Sequence, residues 1–262
     1  MRAVGGLLIA LGFLGGTTAG AAPAFAGAWN LPKGQGQAIV KYEDMRADQG
    51  FDPNGDRVDL SVERRDQTAS VYAEYGLTDR LTLQFKGEWQ RGRDSFVDFE
   101  GRGPVEIGAR WQVWRDERSV VAVYGGYADG GEGRNAGYAP PGAGNADWEA
   151  RLMAGRSMDR ALGGLIQGGF VEAQVARRWR QGLPDEVRLD LTMGTRMNQD
   201  WTFMTQAFGG LTDGDGARWL SLETSVVRDF GDWSLQAGWR QSVAGRETPA
   251  AGGPVIGIWR RF

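Results

Sequence analysis

From Leu81 to Trp89, apolar and polar side chains take turns. Leu81, Leu83, Phe85 and Trp89 share one parity; Thr82, Gln84, Lys86 and Glu88 share the other. A 3.6-residue period would mix the two sets around a helix, whereas a strand sends them to opposite faces. Val105–Trp111 and Val187–Met193 repeat the pattern. Twelve such stretches follow one another, near 36–46, 65–76, 80–91, 103–114, 119–128, 147–158, 165–180, 186–197, 201–211, 218–229, 233–243 and 253–262.

Every second connection is short and polar, around Asp79, Asp116, Asp159, Asp200 and Asp232. The others, 47–64, 92–102, 129–146, 181–185, 212–217 and 244–252, are mostly longer and rich in Gly, Pro and Asp. Alternating tight turns and long loops between strands of about ten residues is the layout of a transmembrane up-and-down barrel. The expectation is all-β: an antiparallel barrel of twelve strands, with ten or fourteen as alternatives. A soluble sandwich or propeller would also alternate, but without this regular spacing.

The two ends of the chain suit that reading. Arg2, an apolar run from Val4 to Gly15 and Ala24-Phe25-Ala26 form an export signal, predicted to be removed after Ala26 and to leave a barrel over 27–262. The last stretch alternates and stops at Phe262, a terminus suited to recognition by the barrel-assembly machinery. The expected location is the outer membrane, with lipid and lipopolysaccharide as surroundings.

Composition narrows the chemistry. There is no cysteine, hence no disulfide and no thiolate site, and no histidine, which removes imidazole catalysis and most transition-metal sites. The net charge of −3 gives no reason to expect nucleic acid. Mean hydropathy is −0.41, as a chain that shows lipid only alternate residues can have. Eleven tryptophans suit interfacial girdles, and Trp89, Trp111, Trp148, Trp179, Trp201, Trp233 and Trp239 take the apolar parity. Trp219 and Trp259 read as ordinary packing residues.

The opposite parity carries Lys41, Lys86, Arg110, Arg151, Arg178, Arg188, Arg196 and Arg240 with Glu43, Glu74, Glu88, Glu106, Glu149, Glu172, Asp190 and Glu223. Lys86, Glu88, Glu106, Arg110, Arg151, Glu172, Arg188 and Asp190 are the residues expected to line a lumen. Such a balanced interior either fills the barrel with ion pairs or selects polar solutes. The first outcome leaves a non-conducting barrel acting through loops 47–64 and 129–146, for example in surface-polysaccharide assembly or adhesion. The second is passive transport of small polar or aromatic compounds. A Ser–Lys or paired-carboxylate enzyme is the remaining catalytic option, but the acids already have a structural use, so no enzyme, metal or cofactor is expected. Asp52–Glu63 places oxygens at calcium-loop positions but has Arg57 where such loops need Gly. It reads instead as a turn hydrogen-bonding its own backbone.

Tyr75-Gly-Leu-Thr-Asp-Arg-Leu-Thr-Leu83 resembles a recurrent phrase of Gram-negative outer-membrane barrels. With Gly27-Ala-Trp29 and Pro32–Gln37 it is similar to the transporters grouped with a phenol-degradation pathway (MetA-pathway), including uncharacterised proteobacterial members. The resemblance implies passive movement of small molecules and carries over no site residue. Arg260 departs from it, standing where an apolar residue is usual.

Overall fold

The structure, a computed structural model, describes residues 27–159 and 167–262. The expected export signal lies outside the described residues, as do residues 165–166 of the seventh predicted strand and most of the turn after Asp159. The strands are β1 Gly36–Phe51, β2 Arg57–Thr78, β3 Leu81–Arg93, β4 Asp98–Arg115, β5 Ser119–Asp129, β6 Ala146–Met158 and β7 Gly169–Arg180. They continue with β8 Glu186–Arg196, β9 Trp201–Thr212, β10 Arg218–Phe230, β11 Trp233–Arg246, β12 Thr248–Pro249 and β13 Gly252–Arg261. No helix occurs among the described residues.

Strands pair antiparallel with their chain neighbours, and β1 closes the ring on β13 from Gln37↔Arg261 to Arg46↔Gly252. The two-residue β12 pairs only with the far end of β1, opposite Gly50 and Phe51, and is not a stave. The barrel therefore has twelve staves, the expected number.

Closure explains why a sheet this polar is stable: the ring leaves no edge, and apart from bulges such as that at Gly87/Trp89 the backbone donors and acceptors pair in the ladder. The apolar parity faces outward. Trp89, Trp111, Trp148, Trp179, Trp201, Trp233 and Trp239 are all exposed, as are Leu83, Phe85, Ile107, Leu152, Leu189, Leu191 and Ile256. The charged parity turns inward, and Glu74, Arg110, Glu149, Glu172, Arg178 and Glu223 are buried. Oil-facing outside and ion-paired inside is the inverse of a soluble protein. Leu191 sits at the centre of β8, whose length matches one bilayer crossing. Leu191→Arg is expected to cost about 2–4 kcal/mol in urea unfolding from lipid vesicles. A change under 1 kcal/mol would contradict a lipid-facing position.

Gly36 N–H donates to the Phe262 carbonyl at 2.7 Å and Phe262 N–H returns a bond at 2.9 Å, so the strand ends meet at one rim. The tight turns share that rim, which is the periplasmic side in barrels of this kind. The turn chemistry only partly follows the central aspartates. Asp116 does accept the N–H groups of Arg118 and Ser119, at 2.8 and 2.6 Å. In the next turn but one the acceptor is Asn198, not Asp200, and in the first it is Thr78. The Arg118 and Ser119 N–H groups hold the Asp116 carboxyl below its usual range. Its folded value is the lower one, so this contribution is present at neutral pH and fades as pH falls through the carboxyl's titration. Asp116→Ala should therefore destabilise the barrel more at pH 7 than at acidic pH.

At the opposite rim the expected loops 47–64 and 92–102 are mostly strand. β1 and β2 run on to a turn at 52–56, and β3 and β4 to one at 94–97, so two hairpins project past the others. The ladder continues there with alternation of its own, Val58, Leu60 and Val62 sharing one parity and Arg57, Asp59, Ser61 and Glu63 the other, before polar residues take both parities at 63–66. The Asp52 carboxylate accepts Asn54 and Asp56 N–H at 2.8 and 2.9 Å, so it caps its own turn. Likewise β11 reaches Arg246, shortening the loop expected at 244–252.

Candidate functional site

The candidate site is the barrel interior, and segments that are not strands enter it from both directions. From the outer rim, loop 130–145 folds inward beneath the projecting hairpins. Gly130 and Asn145 are tied at its base, with Gly130 N–H donating to the Asn145 carbonyl at 2.6 Å. Gly131 takes a φ of +69° where its backbone meets Gly103, and a Cβ there would lie 2.4 Å from that carbonyl. Arg134 is the central anchor. Its guanidinium pairs with Asp66 at 3.2 Å and, more closely, with Asp94, and it bonds the Ala139 carbonyl at 2.9 Å. Gln90 receives the Arg134 N–H at 2.7 Å, and Arg64 reaches the Gly137 carbonyl at 2.8 Å. Further round the wall, Tyr138 donates to Glu186, which also pairs with Arg180, and its ring lies 5.9 Å from Trp219. Burial and the Glu186 carboxylate push the Tyr138 phenol above its ordinary range, so it stays a donor.

From the periplasmic rim, residues 27–34 enter the barrel. Trp29 is buried against Val120, Ala122, Tyr124 and Met153, with Phe170 meeting it edge-on at 5.8 Å. Gly155 makes the niche: a Cβ there would stand 2.4 Å from the indole. Arg110, fully buried, holds this segment to the wall. It donates to the Trp29 carbonyl at 2.7 Å and to Asn30 Oδ1 at 3.1 Å, and pairs with Glu74 at 3.0 Å. Leu31 N–H bonds Thr82 at 3.3 Å, and Gly34 N–H bonds the Gly76 carbonyl at 2.8 Å.

Beneath the outer loop lies a polar chamber of about 340 Å³, at the small end of ligand cavities. Seven cations line it, among them Arg64, Lys86, Arg134, Arg178, Arg188 and Arg240, against four acids, Glu43, Asp66, Glu88 and Glu106. Phe99 adds an aromatic face, with the Arg134 guanidinium 5.4 Å from its centre. Several of the cations are already partnered: Lys86–Glu88 at 2.6 Å, Arg178–Glu106 at 3.4 Å, Arg188–Glu186 at 2.6 Å and Arg240–Glu43 at 3.0 Å. The other three are paired as well, Arg64 with Asp66, Arg91 with Glu100 and Arg134 with Asp66 and Asp94, so the excess of cations belongs to the lining alone and is met by acids just behind it, such as Asp94, Glu186 and Glu223.

Of the eight residues expected to line a lumen, Lys86, Glu88, Glu106 and Arg188 border this chamber. Arg151 and Asp190 pair with each other at 2.6 Å, and Arg151 also meets Glu149 at 2.9 Å. Arg110 and Glu172 instead grip the N-terminal segment. Parity alone could have added Asp147, Arg180 and Glu186, which continue the inward faces of β6, β7 and β8 and are buried. Arg134 and Asn135 had no such signal, because they lie in a loop. Trp259, with Met204 and Val227, is an inward packing residue, as expected. Arg260 pairs with Asp232 at 2.8 Å at the rim and lies over Trp233.

A closed twelve-stave wall, apolar outside and charged within, defines an outer-membrane β-barrel. Among solved structures, the fold is similar to an outer-membrane channel of Pseudomonas putida F1, 15% identical, with a TM-score of 0.68 over 90% of this chain and 98% of that one. It is also similar to the KdgM porin (8% identical, TM-score 0.52, over 86% and 99%). The translocator domain of autotransporter NalP from Neisseria meningitidis matches as well (8%, TM-score 0.53, over 88% and 90%). At these identities the likeness is one of fold. No protein-family model and no curated protein sequence matches the chain.

Proposed function

We propose that this barrel is a passive channel for small polar or aromatic compounds, and that its chamber favours those bearing a carboxylate or another anionic group. The observation that carries this is the chamber itself. Its lining presents more cations than acids beside an aromatic wall at Phe99, in a space suited to a small solute. Guanidinium and ammonium groups face this space while several of their partner acids, such as Asp94, Glu186 and Glu223, stand outside its lining, so an entering anion meets hydrogen-bond donors. Loop 130–145 and the N-terminal segment narrow the route at its two ends, so they set what can pass. The likeness in fold to the P. putida channel and to the KdgM porin supports the channel reading.

The test is single-channel recording in planar bilayers under a KCl gradient. The proposal expects resolvable openings with a reversal potential on the chloride side. Lys86→Glu combined with Arg188→Glu should move that potential toward potassium. A second reading has one observation in its favour: the fully buried Arg110–Glu74 and Arg180–Glu186 pairs resemble a filled, load-carrying interior. A folded protein that stays silent in the bilayer would support this non-conducting barrel, which would act through its outer hairpins and loop 130–145.

A further inference from the structure

Buried acids inside this barrel follow a rule with one exception. Glu74, Asp147, Glu149, Glu186 and Glu223 each have an arginine or lysine nitrogen within 4.0 Å. Glu172 is buried to the same degree, yet no described lysine or arginine forms a salt bridge with it. Its carboxylate accepts the Ala28 N–H at 2.7 Å and the side-chain amide of Gln174. A buried carboxylate with hydrogen bonds but no counter-charge is expensive, and elsewhere in this interior the chain avoids one.

What stands beside Glu172 is Gly27. A Cβ built on Gly27 would lie 3.4 Å from Glu172 Oε1 and 3.0 Å from both Gln174 Nε2 and Met153 Cε. By standard bond lengths the Gly27 nitrogen is within about 6 Å of the carboxylate. The same residue follows Ala24-Phe25-Ala26, the small-x-small pattern at which exported chains are cut.

We infer that cleavage after Ala26 creates the missing cation: the new α-ammonium of Gly27 docks on Glu172 inside the barrel and locks residues 27–34 as a periplasmic plug. The step is a hydrolysis by an export peptidase. Water adds across the Ala26–Gly27 bond, the released segment takes the carboxylate, and Gly27 keeps an amine that is protonated at neutral pH. The surroundings fit an amine with nothing beyond it. Gly27 sits close against Gln174, Met153 and Glu172, Trp29 fills the niche above Gly155, and Arg110 fixes Trp29 and Asn30. Uncut, the nitrogen would be a neutral amide and Glu172 would have no cation in contact, only the more distant Arg110 and Arg151. The lock is independent of whether the barrel conducts.

The test uses the mature protein from outer membranes, folded in detergent. Intact mass and N-terminal sequencing are expected to give Gly27 as the first residue. Acetylation with an amine-reactive ester, read by peptide mass, should modify the Gly27 amine about tenfold or more slowly in the folded barrel than after heat unfolding, the mark of an interior group. The exposed Lys33 side chain in the same sample provides the reference rate. In Glu172→Gln that protection should be lost, and amide hydrogen exchange over 28–34 should rise while the strands stay protected. A mature start at another residue, or a folded wild-type Gly27 amine that reacts like the unfolded one, would overturn the inference. Retained protection in Glu172→Gln would do the same. The wild-type arm needs no variant to fold.

Discussion

Arg110→Ala is expected to destabilise the barrel by about 3–5 kcal/mol, the cost of leaving a buried carboxylate without its partner. Glu74 is the group left behind, its side chain only 2% exposed. Tyr72 and Gln84 would still donate to it, at 3.1 and 3.4 Å, but neither carries charge. The same substitution strips the Trp29 carbonyl and Asn30 of their donor, so the N-terminal segment should loosen as well. Urea unfolding in lipid vesicles reads the first effect, and protease access to residues 27–34 reads the second. Removing both charges, Arg110→Met with Glu74→Met, should recover much of the lost stability, because two apolar chains leave no stranded ion. A single variant within 1 kcal/mol of wild type would show that the pair is more hydrated than its burial implies.

The second large effect concerns the outer mouth. Deleting residues 132–143 should raise single-channel conductance to several times the wild-type value and weaken any anion preference. The loop carries Arg134 into the chamber and, through Tyr138 and Asn135, covers the Arg180–Glu186–Asp147 cluster. The barrel wall survives the deletion because Gly130 and Asn145 already face each other at the strand ends. Unchanged conductance in a channel that opens would move the limiting constriction to the plug formed by residues 27–34.

How much of this was written in the chain follows from what each signal can encode. Period-two alternation needs only local sequence, so Val187–Met193 announced both a strand and its lipid face, and twelve such segments announced the barrel. The same parity put Arg110 and Glu74 inside, but not against each other. They are 36 residues apart and belong to β4 and β2, separated by β3, so their meeting depends on stave order and stagger. The hairpin extension at 57–64 was hidden although Val58, Leu60 and Val62 alternate with polar neighbours, because the polar run 63–67 interrupts the pattern before it resumes, and at 98–102 only Phe99 is a large apolar residue. Trp29 gave the weakest hint: after Gly27 and Ala28 it looks like any loop aromatic, and only the gap at Gly155, 126 positions later in the chain, makes it a plug. The direction of loop 130–145 was similarly undetermined, since the acids that pull Arg134 inward, Asp66 and Asp94, come from hairpins whose length the sequence did not reveal.

The barrel stands in a membrane only if successive side chains along a stave meet different solvents. The chain has no cysteine, so single cysteines at each position from 187 to 195 on β8 can carry a spin label without interference. In lipid vesicles, relaxation by dissolved oxygen should peak at 187, 189, 191 and 193, and relaxation by a polar nickel chelate should be higher at 188, 190, 192 and 194 than at the sites between them. A flat profile, or one repeating every three to four residues, would contradict the barrel placed here in the membrane.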